Sequence, residues 1–309
     1  MKVAASAPGK IILSGEHSVV YGYPALVAAT QKRCHITWRG KSETAFDETF
    51  LAQHDSLKSL FQAWKADPST QELSIRSQIP VGRGMGSSAA CSVATAAIWQ
   101  QIQGKKFSLE EINHQAYQLE VLQHGKPSGV DNTIATQGGF LWFRRETPET
   151  SLVQPVSVER KLDTLFLIDS GKPRESTKDM VSVVAEQRSI HPEHYTQLFH
   201  ELEEAANRWL GWLQGEEGNI TELIRTNHKL LQEVGVVSVS TQQLVEQIEK
   251  IGGAAKITGA GGVKKGSGYL LVTHPSQRQL QALVTKLGKK LEALQVGATG
   301  VALDETTAE

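Results

Sequence analysis

Apolar and polar positions along the chain divide it into two stretches of different texture. In the first, short apolar runs at residues 11–13, 25–27 and 35–38 alternate with polar connections and predict strands. Leu73-Ser-Ile-Arg-Ser-Gln-Ile79 alternates more strictly, as a half-buried strand does. A run of small residues over 88–101 predicts a closely packed helix. In the next helix Leu109, Ile112, Ala116 and Leu119 form an apolar stripe at three- and four-residue spacing, and Ser108 with Glu111 opens it as a capping box. Gly125 and Pro127 stop it. A second small-residue segment, 133–136, leads to a strand at 138–143. Residues 41–72 are mixed and polar, with one helical pattern near 50–64.

Past the prolines at 148 and 155 the composition changes, which predicts domains at 1–155 and 156–309. A buried strand at 165–168 is followed by long amphipathic helices at 194–214 and 220–234, where Trp209 and Trp212 read as packing residues. A third helix, 241–251, carries Ser240 and Gln243 as a capping box. Strands at 255–257 and 269–272 flank a second glycine-rich loop, and a helix at 276–291 and a strand pair within 294–303 close the chain. The pattern is that of an α+β protein.

Composition narrows the function without naming it. The 309 residues are 39% hydrophobic and 21% charged with net charge −1, an ordinary globular profile. The basic excess expected of a nucleic-acid or anionic-membrane partner is missing, and no apolar run approaches the roughly 18 residues of a membrane span. The amino terminus breaks at Pro8-Gly9 and lacks a secretory apolar core. Cys34 and Cys91 are too few for a disulfide framework or zinc site, and read as small buried hydrophobes in a reducing cytoplasm.

Chemistry concentrates at Pro80-Val-Gly-Arg-Gly-Met-Gly-Ser-Ser-Ala89, between a strand and a helix. Its glycines permit an anion-binding nest, and the following helix adds unpaired N–H groups and the positive end of its dipole, a fit for polyphosphate. A plain strand-to-helix turn is the competing interpretation. The stretch is neither a Walker A loop nor a dinucleotide fingerprint. Four other candidates each have a bland alternative. Lys10 is ordinarily a surface charge. Glu16-His17 is an acid–imidazole pair in a short connection. Glu120 lies roughly 20° from Leu109 and 40° from Ala116 around its helix, so it needs either a salt bridge or a metal. Asp131 can cap the segment that follows it.

Three blocks stand in order: Pro8-Gly-Lys10 with Gly15-Glu-His17, Pro80 to Ala90, and Ile257-Thr-Gly-Ala-Gly-Gly262. The set resembles the three motifs of the GHMP kinases, and with Pro127-Ser-Gly-Val-Asp-Asn132 and Asp169-Ser-Gly-Lys-Pro-Arg-Glu-Ser-Thr177 it is most similar to the mevalonate kinases among them. The resemblance implies a two-domain GHMP fold, with a left-handed βαβ crossover first, a ferredoxin-like α+β domain second and the active site between. It implies ATP and mevalonate as substrates, transfer to the 5-hydroxyl, and Mg²⁺ as cofactor. ATP would meet Pro80, Gly82, Arg83, Gly84, Met85, Gly86, Ser87, Ser88, Ala89, Gly259, Ala260 and Gly261. Ser88 and Glu120 would hold the metal, Asp131 and Lys10 would be catalytic, and Lys10, Glu16, His17, Asp131 and Thr177 would bind the acceptor. Alternatives are another acceptor (the mevalonate 3-hydroxyl, phosphomevalonate or a sugar) or a non-catalytic nucleotide-binding regulator. A homodimer is the family-level expectation. The third block departs from the family pattern at Val263-Lys264-Lys265, whose lysines either touch phosphates or face solvent.

Overall fold

A computed structural model of the chain describes residues 2–41, 71–125, 127–147, 150–162 and 165–304. The helical pattern expected near 50–64 lies outside them.

The first sheet is built on two long strands, β1 (Val3–Ser14) and β2 (Pro24–Lys41), paired antiparallel. One half of β2 pairs with β4 (Phe140–Arg145) and the other with β3 (Gln71–Ser77). The strand β5 (Ser151–Pro155) extends β4. The α1 helix (Ser87–Ile102), α2 (Leu109–His124) and α3 (Val130–Gln137) complete this half. Ten consecutive residues of α1, Ala89 to Ile98, are buried, which only a run of small side chains permits. Ser108 caps α2 by accepting from the Glu111 N–H, but the expected capping box is half made: the Ser108 N–H donates to Gln100 Oε1, and the Glu111 carboxylate accepts from Gln115 instead.

The second sheet is β6 (Leu165–Asp169), β7 (Ala254–Ile257), β8 (Tyr269–Thr273) and β9 (Leu291–Ala293), in spatial order β7-β8-β6-β9. Counted from β6, that is the antiparallel order of a ferredoxin-like sheet, 4-1-3-2 read from the β9 edge. Between β6 and β7 run α4 (Thr177–Ile190), α5 (Pro192–Leu213), α6 (Ile220–Glu233) and α7 (Val239–Lys250); α8 (Gln277–Lys286) joins β8 to β9. Side chains of β6 divide between two cores. Leu165 and Leu167 join the core beneath the first sheet with Trp209 and Trp212, whereas Phe166 and Ile168 face α4, α5 and α7. Four consecutive apolar positions, Leu165 to Ile168, are the signature of burial on both faces.

Four expectations need correction. Ser238, not Ser240, caps α7. The α8 helix ends at Lys286, and Leu291 already belongs to β9. The last strands do not pair with each other: β9 lies on β6, and β10 (Ala302–Leu303) crosses back to β1. That return is the exception to the division we propose at residue 155. The α4 helix was not anticipated; its capping box is Ser176 with Asp179, the shorter acid standing where Glu is usual.

Candidate active site

A bulge delivers the first catalytic candidate. The β1–β2 register shifts between Pro8 and Lys10, where Pro8 has no N–H to give the ladder. A β-carbon on Gly9 would stand 2.9 Å from the Met85 carbonyl oxygen. Lys10 stands opposite Ala29 where the register resumes, and its N–H donates to that same oxygen at 3.0 Å. Its stem then lies along Gly86, and its ammonium stands 3.4 Å from the Asp131 carboxylate. Asp131 is in the first turn of α3, whose cap position is Gly129, so the capping alternative is excluded. Lys10 is nearly sealed, whereas the Asp131 side chain is 36% exposed. The pair therefore has one open side.

The glycine loop passes beside it. Gly84 and Gly86 have φ of 83° and 71°, and α1 begins on Gly86 with no side-chain cap. A helix start without a side-chain cap is a place where an anion can bind. The third motif buttresses the loop from behind. A β-carbon on Gly84 would come within 2.6 Å of the Thr258 carbonyl, and one on Gly259 within 2.7 Å of the Gly84 α-carbon. Gly261 faces away, against the Val236 carbonyl. Met85 and Ala89 are buried, and Pro80, Gly82 and Ser87 retain exposure. Arg83 pairs with Asp169 at the end of β6 and donates to its carboxylate.

Behind the loop, Ser88 Oγ lies 2.8 Å from Glu120 Oε1 and 2.6 Å from Gln123 Oε1, and Ser92 Oγ donates to Glu120 Oε1 at 2.9 Å. One hydroxyl proton cannot serve two acceptors, so the Gln123 amide is oriented with its NH₂ toward Ser88, which donates to Glu120. A carboxylate and a hydroxyl in contact at the mouth of an uncapped helix are the all-oxygen donors Mg²⁺ accepts, with phosphate oxygens and water completing its shell. The residues present fit that ion.

Glu16 and His17 occupy different ground from Lys10. Glu16 is buried and paired with Lys256 of β7, whose ammonium also donates to the Ile12 carbonyl at 3.0 Å. Burial pushes the Glu16 carboxyl up and the Lys256 ammonium down, each partly offset by the other. The Ile12 N–H donates to Thr258 Oγ1 at 2.7 Å, so the junction ties the two sheets together. His17 has φ of 62° and its ring reaches the Ala260 carbonyl at 2.9 Å. Burial lowers its pKa to about 4, so at neutral pH it is uncharged and Nε2–H donates to that carbonyl. Thr177 opens α4, exposed, with no hydrogen bond among the described residues joining it to this cluster. Lys264 and Lys265 are exposed.

Sequence reasoning missed Lys256, Ser92 and Gln123. A lysine inside the otherwise apolar strand Ala254-Ala-Lys-Ile257 was the available signal for the first. Ser92 and Gln123 lie one helical turn from Ser88 and Glu120, on the same faces.

Residues 53–139 match the model of the GHMP kinases N-terminal domain. A mevalonate kinase of Archaeoglobus fulgidus is 36% identical over 272 residues, which cover 84% of this chain and 89% of that protein. The chain belongs to the mevalonate kinase family of the GHMP kinases. A relative of the same name from Thermococcus gammatolerans is 31% identical across 99% of each chain. The fold agrees: the structure of L. major mevalonate kinase in complex with R-mevalonate superposes with a TM-score of 0.77, covering 96% of each chain at 24% identity. The two-sheet α+β architecture read from the motifs is that of the family.

Proposed function

We propose that the protein transfers the terminal phosphoryl group of ATP to the 5-hydroxyl of mevalonate, giving 5-phosphomevalonate and ADP. The observation that carries this reading is the Lys10–Asp131 pair, open on one side and set beside an uncapped helix start. Relatives that are named mevalonate kinase and match almost end to end support the choice of acceptor.

In this reading the first-turn N–H groups of α1 bind phosphate oxygens. The acceptor alcohol lies against Asp131, which takes the hydroxyl proton on a carboxylate oxygen as the alcohol oxygen bonds to phosphorus and the bond to the ADP oxygen breaks. The Lys10 ammonium stabilises negative charge on the attacking oxygen and the moving phosphoryl group. Ser88 and Glu120 would hold Mg²⁺, which when bound neutralises charge on the phosphates. Glu16 and His17 shape the acceptor pocket from behind, the first through Lys256 and the second through Ala260. Thr177 supplies a hydroxyl to the acceptor from the second half of the chain.

No helix among the described residues is long and apolar enough to cross a membrane. We place the enzyme in the cytoplasm, where its two buried cysteines stay reduced. A homodimer is the expected assembly, to be read by light scattering. The functional test is ADP release with Mg-ATP against mevalonate, phosphomevalonate, galactose and homoserine. Turnover on mevalonate well above the others is expected; turnover confined to a sugar, or none, would overturn the assignment.

A further inference from the structure

Arg83 is the cation within the glycine loop, and its guanidinium is turned onto Asp169. The loop's phosphate cation must come from elsewhere. The same Asp169 accepts from the Gly171 N–H at 2.8 Å through its other oxygen. Around it the main chain is latched to the loop after the third motif: Ser170 N–H and Oγ both donate to the Gly268 carbonyl, at 3.0 and 2.7 Å, and the Gly268 N–H donates to Gly171 O at 3.0 Å. Gly268 in turn lies against Arg83, where a β-carbon would stand 2.7 Å from the Arg83 carbonyl, and the Tyr269 N–H donates to that carbonyl at 3.2 Å. These contacts fix the backbone of residue 171 relative to the glycine loop. The next residue is Lys172.

Its side chain lies across the loop. Lys172 Cε is 3.1 Å and Nζ 3.8 Å from the position a β-carbon on Gly82 would take. Lys172 is exposed and makes no ion pair among the described residues. At the other end, Lys10 Cγ is 2.9 Å from the corresponding position at Gly86. Two lysines, one from each half of the chain, therefore bracket five residues of loop, Gly82 to Gly86, a span of at most about 14 Å. Lys10 is engaged with Asp131 and the transferring group; Lys172 is at the end away from them.

We infer that Lys172 is a phosphate-binding residue for the nucleotide, its ammonium meeting a phosphate of ATP that is not transferred. The inference rests on the kinase reading above. Taken at the α-phosphate, whose charge does not change as the β–γ bridge breaks, the contact contributes equally to substrate and transition state, and its loss falls on KM for ATP rather than on kcat. A charge-assisted contact of this kind corresponds to about a 10-fold change in affinity.

The test measures binding of ATP and of adenosine, with steady-state KM for ATP and for mevalonate, in the parent, Lys172→Met and Lys172→Arg. Lys172→Met is expected to weaken ATP about 10-fold with the loss in KM for ATP, to leave adenosine binding and the thermal midpoint unchanged, and to be largely rescued by Lys172→Arg. Unchanged ATP affinity in Lys172→Met, or an equal loss for adenosine, would overturn the inference while leaving the kinase assignment standing. A parent that binds no ATP would instead overturn the kinase reading itself.

Discussion

Lys10 and Lys256 are both buried lysines in sheet strands, and each meets a carboxylate. Their surroundings differ in one respect. The Lys10 partner, Asp131, has a side chain 36% exposed, whereas Lys256 and Glu16 are both fully enclosed. A buried ion pair carries a desolvation cost that mutual attraction only partly repays, so a pair sealed on all sides contributes specificity of packing more than net stability. A pair left open can exchange part of its interaction for a substrate group during reaction. The sealed pair joins β7 to the turn after β1, and the open pair lies beside the glycine loop.

The largest expected effect breaks the open pair. Asp131→Asn and Lys10→Met should each lower kcat by about 10³-fold while ATP affinity stays within a few-fold and the thermal midpoint barely moves. Near-normal kcat in either variant would remove the distinction between the two pairs. Breaking the sealed pair should do the reverse. Lys256→Met leaves the Glu16 carboxylate enclosed without its partner and should cost about 3–5 kcal/mol of folding stability, measured from urea unfolding. Adding Glu16→Leu to Lys256→Met should recover much of that loss, which a catalytic role alone would not produce.

A smaller effect concerns acid. His17 and His228 both have pKa values lowered by burial to about 4, and the Lys256 charge contributes to the second. Between pH 4 and 6.5 the unfolded chain binds more protons at these residues than the folded one, so their contribution is complete above pH 6.5 and is lost as pH falls toward 4. Each should cost about 2 kcal/mol between pH 6.5 and 5. Urea midpoints at pH 7 and 5 for the parent, His17→Gln and His228→Gln read this directly. A parent midpoint that does not fall with pH, or an equal fall in the variants, would contradict the assignment.

The contrast between the pairs also marks what was legible in the sequence. Candidates marked by residue type and local spacing were legible: the glycines at 84 and 86, Ser88, Glu120, and Asp131 after a helix stop. The order of the motifs brought Lys10 to them. The structure added the reason, a register shift between Pro8 and Lys10 beside which the Lys10 N–H meets the Met85 carbonyl of the glycine loop. Contacts made across the two sheets were not legible. Arg83 belongs to the phosphate motif by position but is drawn onto Asp169, 86 residues later. Glu16 lies 240 residues from Lys256, and no local pattern ties a carboxylate in a turn to a lysine in a distant strand. Strands β9 and β10 were misassigned for the same reason: adjacent in sequence, they join different sheets.

The most direct test is ³¹P NMR of the product formed from Mg-ATP and mevalonate by the parent and by Asp131→Asn. The account predicts a phosphomonoester resonance split by the two protons of the primary carbinol carbon in the parent, and none above background in the variant. An unsplit resonance, the mark of a tertiary phosphate ester at the 3-hydroxyl, or full product formation by Asp131→Asn, would contradict it.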